Sequence, residues 1–193
     1  MHFLHTAVIV LLAVMRDGRM VETATIGRSG VIGGIAGFGQ WRAFARVVVQ
    51  VSGTAARIPS SQFRAAIRHS DRLTAVVLRC AQSIVVQIQQ TAACNALHSA
   101  EQRLSRWLLL TQDYADTNVI SLTQELLGQM LGVRRTTITA AVSKLRASGV
   151  FRYNRRGRIE IVDRKALEQT ACECYELLRS RDDECSRCDE LVI

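Results

Sequence analysis

The spacing of apolar and polar positions divides this chain into three stretches. In the first, residues 7–15 (AVIVLLAVM) form an apolar run that is far too short to span a bilayer. It predicts a buried strand ending in a turn at Asp17-Gly18. No Lys or Arg precedes the run, and Arg16-Asp17-Gly18-Arg19 follows where a secretory leader would carry small residues, so a signal peptide is not expected. Residues 20–26 (MVETATI), 46–51 (RVVVQV) and 55–58 predict further strands, with a turn at Ser52-Gly53. Residues 27–34 (GRSGVIGG) read as a glycine-rich loop. Pro59 breaks the chain ahead of a short helix, SSQFRAAI.

In the second stretch, residues 71–96, the period lengthens to that of one long helix. Leu73, Val76, Val77, Cys80, Ile84, Gln87, Ile88 and Thr91 recur three to four residues apart. Little preceding sequence is available to cover that stripe, which predicts a partner helix. The alternative is packing on the chain's own sheet. Residues 95–98 break the pattern. Ser99 then caps a new helix with Gln102 at the box position, and Leu104, Trp107, Leu108 and Leu110 face inward.

The third stretch, residues 121–162, is the most informative. Ser121 and Gln124 form a capping-box pattern, and Leu122, Leu126, Leu127, Met130 and Leu131 line one helical face that stops at Gly132. Ile138, Val142 and Leu145 place a second helix against the first. Its outer face carries Arg135, Thr136, Thr139, Ser143 and Arg146, and Gly149 ends it. Two helices about a glycine turn, the second with a basic polar face, form a helix-turn-helix pattern. Residues 150–153 and 159–162 predict a hairpin whose loop, NRRGR, uses Gly157 for the turn and carries Arg155, Arg156 and Arg158. Asp163 caps a last helix, RKALEQTACECYELLRS, before a loose polar tail.

Charge supports this picture. The chain of 193 residues has a net charge of +8, and residues 134–165 alone hold ten Lys or Arg against two Asp or Glu, also +8. A basic cluster on a helix-turn-helix predicts a polyanionic partner, against the alternative of a merely solvated surface. At 48% hydrophobic and 5% aromatic, the cores must be aliphatic.

Of the six cysteines, Cys80 and Cys94 lie in apolar helical sequence and read as buried small hydrophobes. Cys172, Cys174, Cys185 and Cys188 have the look of a zinc or iron–sulfur set. Residues two apart on a helix face different ways, however, so no metal is expected and reduced cytosolic thiols are. His2, His5, His69 and His98 fall in no catalytic or metal-ligand motif, and no P-loop or dinucleotide fingerprint is present, so an enzyme is not expected.

Residues 99–175, through AEQRLSRWLL, LTQELLGQMLGVRRTTIT and the hairpin before DRKALEQTACECY, resemble the winged-helix domain of the Crp/Fnr family of bacterial transcription regulators. Residues 3–67 resemble the later part of that family's β-roll. The family's upstream strands have no counterpart in this sequence, which predicts an unpaired sheet edge. The resemblance implies an α+β protein with a partial, jelly-roll-like β-roll sensor domain (1–70), a long dimerisation helix (71–98), a winged helix-turn-helix (99–178) and a flexible tail (179–193). It implies a cytoplasmic homodimer on double-stranded DNA, with RNA polymerase as a further partner and no membrane partner. The dimer would form through Leu73, Val77, Cys80, Ile84, Gln87 and Thr91.

The resemblance also implies base reading in the major groove by Arg135, Thr136, Thr139 and Ala140. Phosphate contacts would come from Thr123, Arg134, Thr137, Lys144, Arg155, Arg156 and Arg158. Arg135 matches a guanine-reading arginine of the family, whereas Thr136 and Ala140 depart from its pattern, so the target sequence should differ. The nearest match to the family's cyclic-nucleotide cassette is Gly33, Gly34 and Arg42. Gly34 stands where a ribose-holding Glu belongs, so a cyclic nucleotide is not expected and another small effector is left open. The competing reading is a winged-helix protein–protein module, or a sequence-blind DNA binder with a non-functional sensor.

Overall fold

The computed structural model describes residues 1–28, 30–39, 43, 45–154 and 157–187, with side chains through residue 181. The first 57 residues build two antiparallel three-stranded sheets. One pairs β1 (His2–Leu4) with β4 (Val31–Ile32) and β6 (Ala55–Arg57), in the order β4-β1-β6. The other orders β3 (Met20–Ile26), β2 (Val8–Val14) and β5 (Arg46–Val51) as β3-β2-β5. Gly18, at φ 85°, makes the β2–β3 turn, a conformation that glycine adopts without steric cost.

β2 is central and covered on both faces, which is why it reads as an unbroken apolar run. Val10 and Leu12 enter one core, while Ile9 joins Leu4, Ala7 and Ile26 in another. Residues 27–34 are not all loop: they contain β4 and lead into a 3-10 turn, Gly34–Gly37. β1 and β4 are too short to show periodicity. β5 lies at a sheet edge, where Val47 and Val49 remain 44% and 60% exposed.

Helices α1 (Ser60–Arg68) and α2 (Asp71–Leu97) follow, α2 opening where Ser70 Oγ accepts the Leu73 N–H. Then come α3 (Ala100–Ala115), β7 (Val119–Ser121), α4 (Gln124–Leu131), α5 (Arg135–Ala147), β8 (Phe151–Tyr153) and β9 (Arg158–Ile161). The chain closes with α6 (Arg164–Thr170) and α7 (Cys174–Arg187). The Ser99–Gln102 capping box of α3 forms as predicted.

Two boundaries differ from expectation. Ser121 does not cap α4, because it is paired with Arg158 in the β7-β9-β8 sheet. Thr123 caps instead, its Oγ1 accepting from Leu126 N at 3.2 Å. The final helix is two helices, because Ala171 turns extended (ψ 159°), and α7 continues through Arg187 into the expected tail.

α3 joins the two halves. Residues 103–111 are all buried, and the helix packs against β2, α4, α5, α6, α7 and β7. The largest core contains Val10 and Leu12 of the sheet together with Leu104, Leu108, Leu127, Ile138, Leu145, Phe151 and Ile159.

One acid is enclosed at this junction. Glu22 of β3 accepts hydrogen bonds from Thr25 Oγ1 at 2.5 Å and Trp107 Nε1 at 2.8 Å. Burial pushes its carboxyl up to about 7, against 4.5 ordinarily. The folded protein therefore holds this proton more tightly than the unfolded chain does. Glu22 contributes most to stability below about pH 4.5, and that contribution is lost as pH rises through about 7. Thermal melts should show Glu22→Gln gaining on the wild type from about pH 5 to about pH 8. A difference that stays constant over this range contradicts the assignment.

Candidate nucleic-acid interface

The geometry of α4 and α5 follows from two glycines. Gly132, at φ 62°, ends α4 and lets Val133 N–H reach Gly128 O at 2.9 Å. A Cβ on Gly128 would lie 3.3 Å from Val133 O and 3.5 Å from Ile138 Cγ2, so its bare Cα permits close approach of the two helices. Ile138, Ala141, Val142 and Leu145 of α5 are buried. Arg134, Arg135, Thr136, Thr137, Thr139 and Ala140 are all exposed, as is Thr123 at the α4 cap. The predicted reading face is thus one continuous surface at the N-terminal half of α5.

Within it, Thr139 is held in place. Its hydroxyl lies 3.0 Å from Gln124 Oε1 and 2.9 Å from Arg135 O, and its one proton serves one of these acceptors at a time. Gln124 sits at the first position of α4, and no periodicity singles it out as an anchor for α5. Lys144, expected on phosphate, stands on the flank facing α3, where it pairs with Glu101 at 2.6 Å.

The predicted hairpin forms, with Phe151 opposite Ile161 and Tyr153 opposite Ile159. Gly157 takes φ 75°, and its carbonyl accepts from Leu122 N at 2.6 Å, which ties the hairpin loop to the segment before α4. Asn154 Oδ1 accepts the Arg158 N–H at 3.1 Å, and the Arg158 side chain is exposed. Arg155 and Arg156 lie outside the described residues.

The stripe assigned to a partner helix is largely consumed within the chain. Val77 packs with Phe63 and Ile67, with Leu73 alongside, and Ile84 packs on the cluster around Ile9. Gln87 is buried, its Oε1 accepting the Thr25 N–H at 3.1 Å. Cys80 and Thr91 are half-buried. The opposite face carries Ala75, Leu78, Gln82, Val85, Gln89, Ala92 and Ala96 at alternating spacings of three and four, all exposed. Leu78 and Val85 are each 51% exposed. The sequence stripe mixes the two faces, since Ile88, 41% exposed, belongs with the outer one.

Of the expected effector residues, Gly33 and Gly34 are placed by the turn and the helix beside them. Gly33, at φ 78°, precedes the 3-10 turn, and Gly34 lies so close to α2 that a Cβ would meet Val77 Cγ1 at 2.9 Å. Arg42 lies outside the described residues. A cavity of about 740 Å³ opens elsewhere, between β3, α2 and the C-terminal domain, and its lining includes Arg28, Arg79, Ser83, Tyr114, Arg164 and Arg179. Arg164 is held there by Asp113 at 2.7 Å and Glu168 at 3.0 Å.

The cysteines also regroup. Cys172 lies in the break between α6 and α7 and Cys174 opens α7, so helical geometry does not separate them. They meet Cys94 and His98 at the end of α2. The side chains of Cys185 and Cys188 lie outside the described residues. Among the described residues, no helix is long and apolar enough to cross a membrane.

Residues 102–170 match the family of Crp-like helix-turn-helix domains. No curated protein sequence matches significantly. Among solved structures, the chain is similar to two regulators of Thermus thermophilus. One, of the CRP family, is 17% identical with a TM-score of 0.71, over 88% of this chain and 86% of that one. The other, of the CRP/FNR family, is 19% identical with a TM-score of 0.72 at the same coverage. FixK2 of Bradyrhizobium japonicum is 15% identical, with a TM-score of 0.72 over 89% of this chain and 86% of that one. At these identities the likeness is one of fold.

Because Lys144 is engaged by Glu101, Lys144→Ala should change the salt dependence of DNA binding less than Arg134→Ala does. The lost exposed ion pair should cost stability under about 1 kcal/mol. Equal changes in salt slope for the two variants, measured by fluorescence anisotropy, would return Lys144 to the phosphate-contacting set.

Proposed function

We propose that this chain, a Crp-like helix-turn-helix domain carried on the fold of the Crp/Fnr regulators, is a transcription regulator that reads an inverted-repeat DNA site as a homodimer. The observation that carries this reading is the exposed face of α5, where cations and small side chains sit together above a fully buried inner face.

In this reading α5 enters the major groove. Arg135 offers its guanidinium to the O6 and N7 acceptors of a guanine. Thr136 and Ala140 are short and carry methyl groups, which suits contact with thymine methyls. Thr139, fixed by Gln124, offers a hydroxyl whose position is set before DNA arrives. Arg134, Thr137 and Thr123 contact phosphates and set register, and Arg158, with Arg155 and Arg156, extends those contacts along the wing. The complex works in the cytoplasm, and RNA polymerase is its partner at promoters.

Dimerisation follows from the outer face of α2. Alternating spacings of three and four over residues 75–96 are those of a coiled-coil seam, with Leu78 and Val85 as its apolar positions. Parallel pairing places two copies of α5 about one DNA turn, roughly 34 Å, apart. A small effector in the cavity would touch β3, α2 and Arg164 of the winged domain together, and the arginines lining it suit an anion.

Two measurements test this reading. Arg135→Ala should lose roughly 1–3 kcal/mol of discrimination at a single base pair. Equal loss on specific and random duplexes would contradict base reading. Leu78→Lys with Val85→Lys should give a monomer by light scattering while leaving the far-ultraviolet circular dichroism unchanged. A dimer that survives both substitutions would contradict the seam.

A further inference from the structure

We propose that Cys94, His98, Cys172 and Cys174 form a binding site for one thiophilic divalent cation, zinc by its chemistry, that fastens the end of α2 to the start of α7. The Nδ1 or Nε2 atom of His98 and the three Sγ atoms all lie within 4.8 Å of one another. Cys94 Sγ is 3.5 Å from Cys172 Sγ, and Cys174 Sγ is 3.6 Å from His98 Nδ1. A tetrahedral ion with metal–sulfur bonds of about 2.3 Å needs ligand separations of about 3.8 Å. The enclosed space suits a single ion and not an iron–sulfur cluster. Three thiolates and an imidazole are a common donor set for structural zinc.

The surroundings fit the same chemistry. His98 Nε2 lies 3.1 Å from Glu173 Oε2, which fixes the ring and directs the Nδ1 lone pair toward the sulfurs. Gln90 Nε2 donates to Cys174 Sγ at 2.9 Å. Three thiolates around a dication leave one net negative charge. Arg103 and Arg106 answer it: both are buried, at 6% and 5% exposure, and each has a buried Nε without a hydrogen-bond partner. Buried guanidiniums need a counter-charge, which Glu22 offers to Arg106 and which the thiolates of a loaded site would offer to both arginines. Arg103 also donates to Leu131 O at the last residue of α4, which places the site one side chain from the helix-turn-helix turn.

The test uses the full chain purified under reducing conditions and dialysed against trace zinc. Elemental analysis should find one equivalent of zinc per chain. Cobalt substitution should give the ligand-field bands of a tetrahedral site with thiolate charge transfer. Cys172→Ser and His98→Ala should each lose the cation, and Cys80→Ser should keep it. Glu173→Gln, which leaves all four ligands in place, should weaken binding about 10–100-fold. Four results would overturn the proposal. The wild-type chain could hold no stoichiometric cation. The cobalt spectrum could be unchanged in Cys172→Ser. Loss of the cation could follow Cys185→Ser instead. Or, once the reductant is removed and air admitted as oxidant, a Cys94–Cys172 disulfide could form in the presence of excess zinc.

Discussion

Burial of α3 on every side is the constraint on which the rest of the structure depends. A helix with only one apolar stripe needs one partner. Residues 103–111 have no exposed face, so α3 must have neighbours all round. The β2–β3 sheet covers one side, and α4, α5, α6 and β7 cover the others. The position of α5 relative to the sheet is therefore set through Leu104, Trp107 and Leu108. The ionisable groups this enclosure traps meet local partners: Glu22 the Trp107 indole and Thr25, Arg106 the neighbouring Glu22, and Arg103 the Leu131 carbonyl.

Much of the winged domain is legible in the sequence because its signals are local. Caps, glycine stops and a period of 3.6 identify α4 and α5, and Gly157 identifies the hairpin. The error at Ser121 arises because a three-residue strand, β7, has no periodicity of its own and pairs with residues far along the chain. The same is true of β1 and β4. The stripe on α2 is legible apart from Ile88, which lies on the outer face, and what the sequence leaves open is its partner, which proves to be the chain's own sheet and α1. Composition cannot name that partner, since what matters is which residues meet another element.

The cysteine cluster is illegible for a related reason. Spacing groups Cys172 and Cys174 with the later pair, whereas the fold brings them to Cys94, 78 residues before Cys172. The extended conformation at Ala171 is what makes that possible, and no proline or glycine announces it. Likewise Gly33 and Gly34 suggest a ligand loop, but Gly33 takes a left-handed turn against Met1 and Gly34 permits close packing beneath α2. The cavity instead lies where strand, long helix and winged domain converge, and Arg164, held by Asp113 and Glu168, forms part of its wall.

In the function we propose, α2 pairs two copies and α3 holds each exposed face of α5 at a fixed place relative to that pair. The most direct test is selection of bound duplexes from a randomised DNA pool with the purified chain over a salt series. The account predicts an inverted repeat whose half-site centres are about 10 base pairs apart, with a guanine in each half-site that Arg135 requires. Recovery of only salt-sensitive, sequence-blind binding would contradict it.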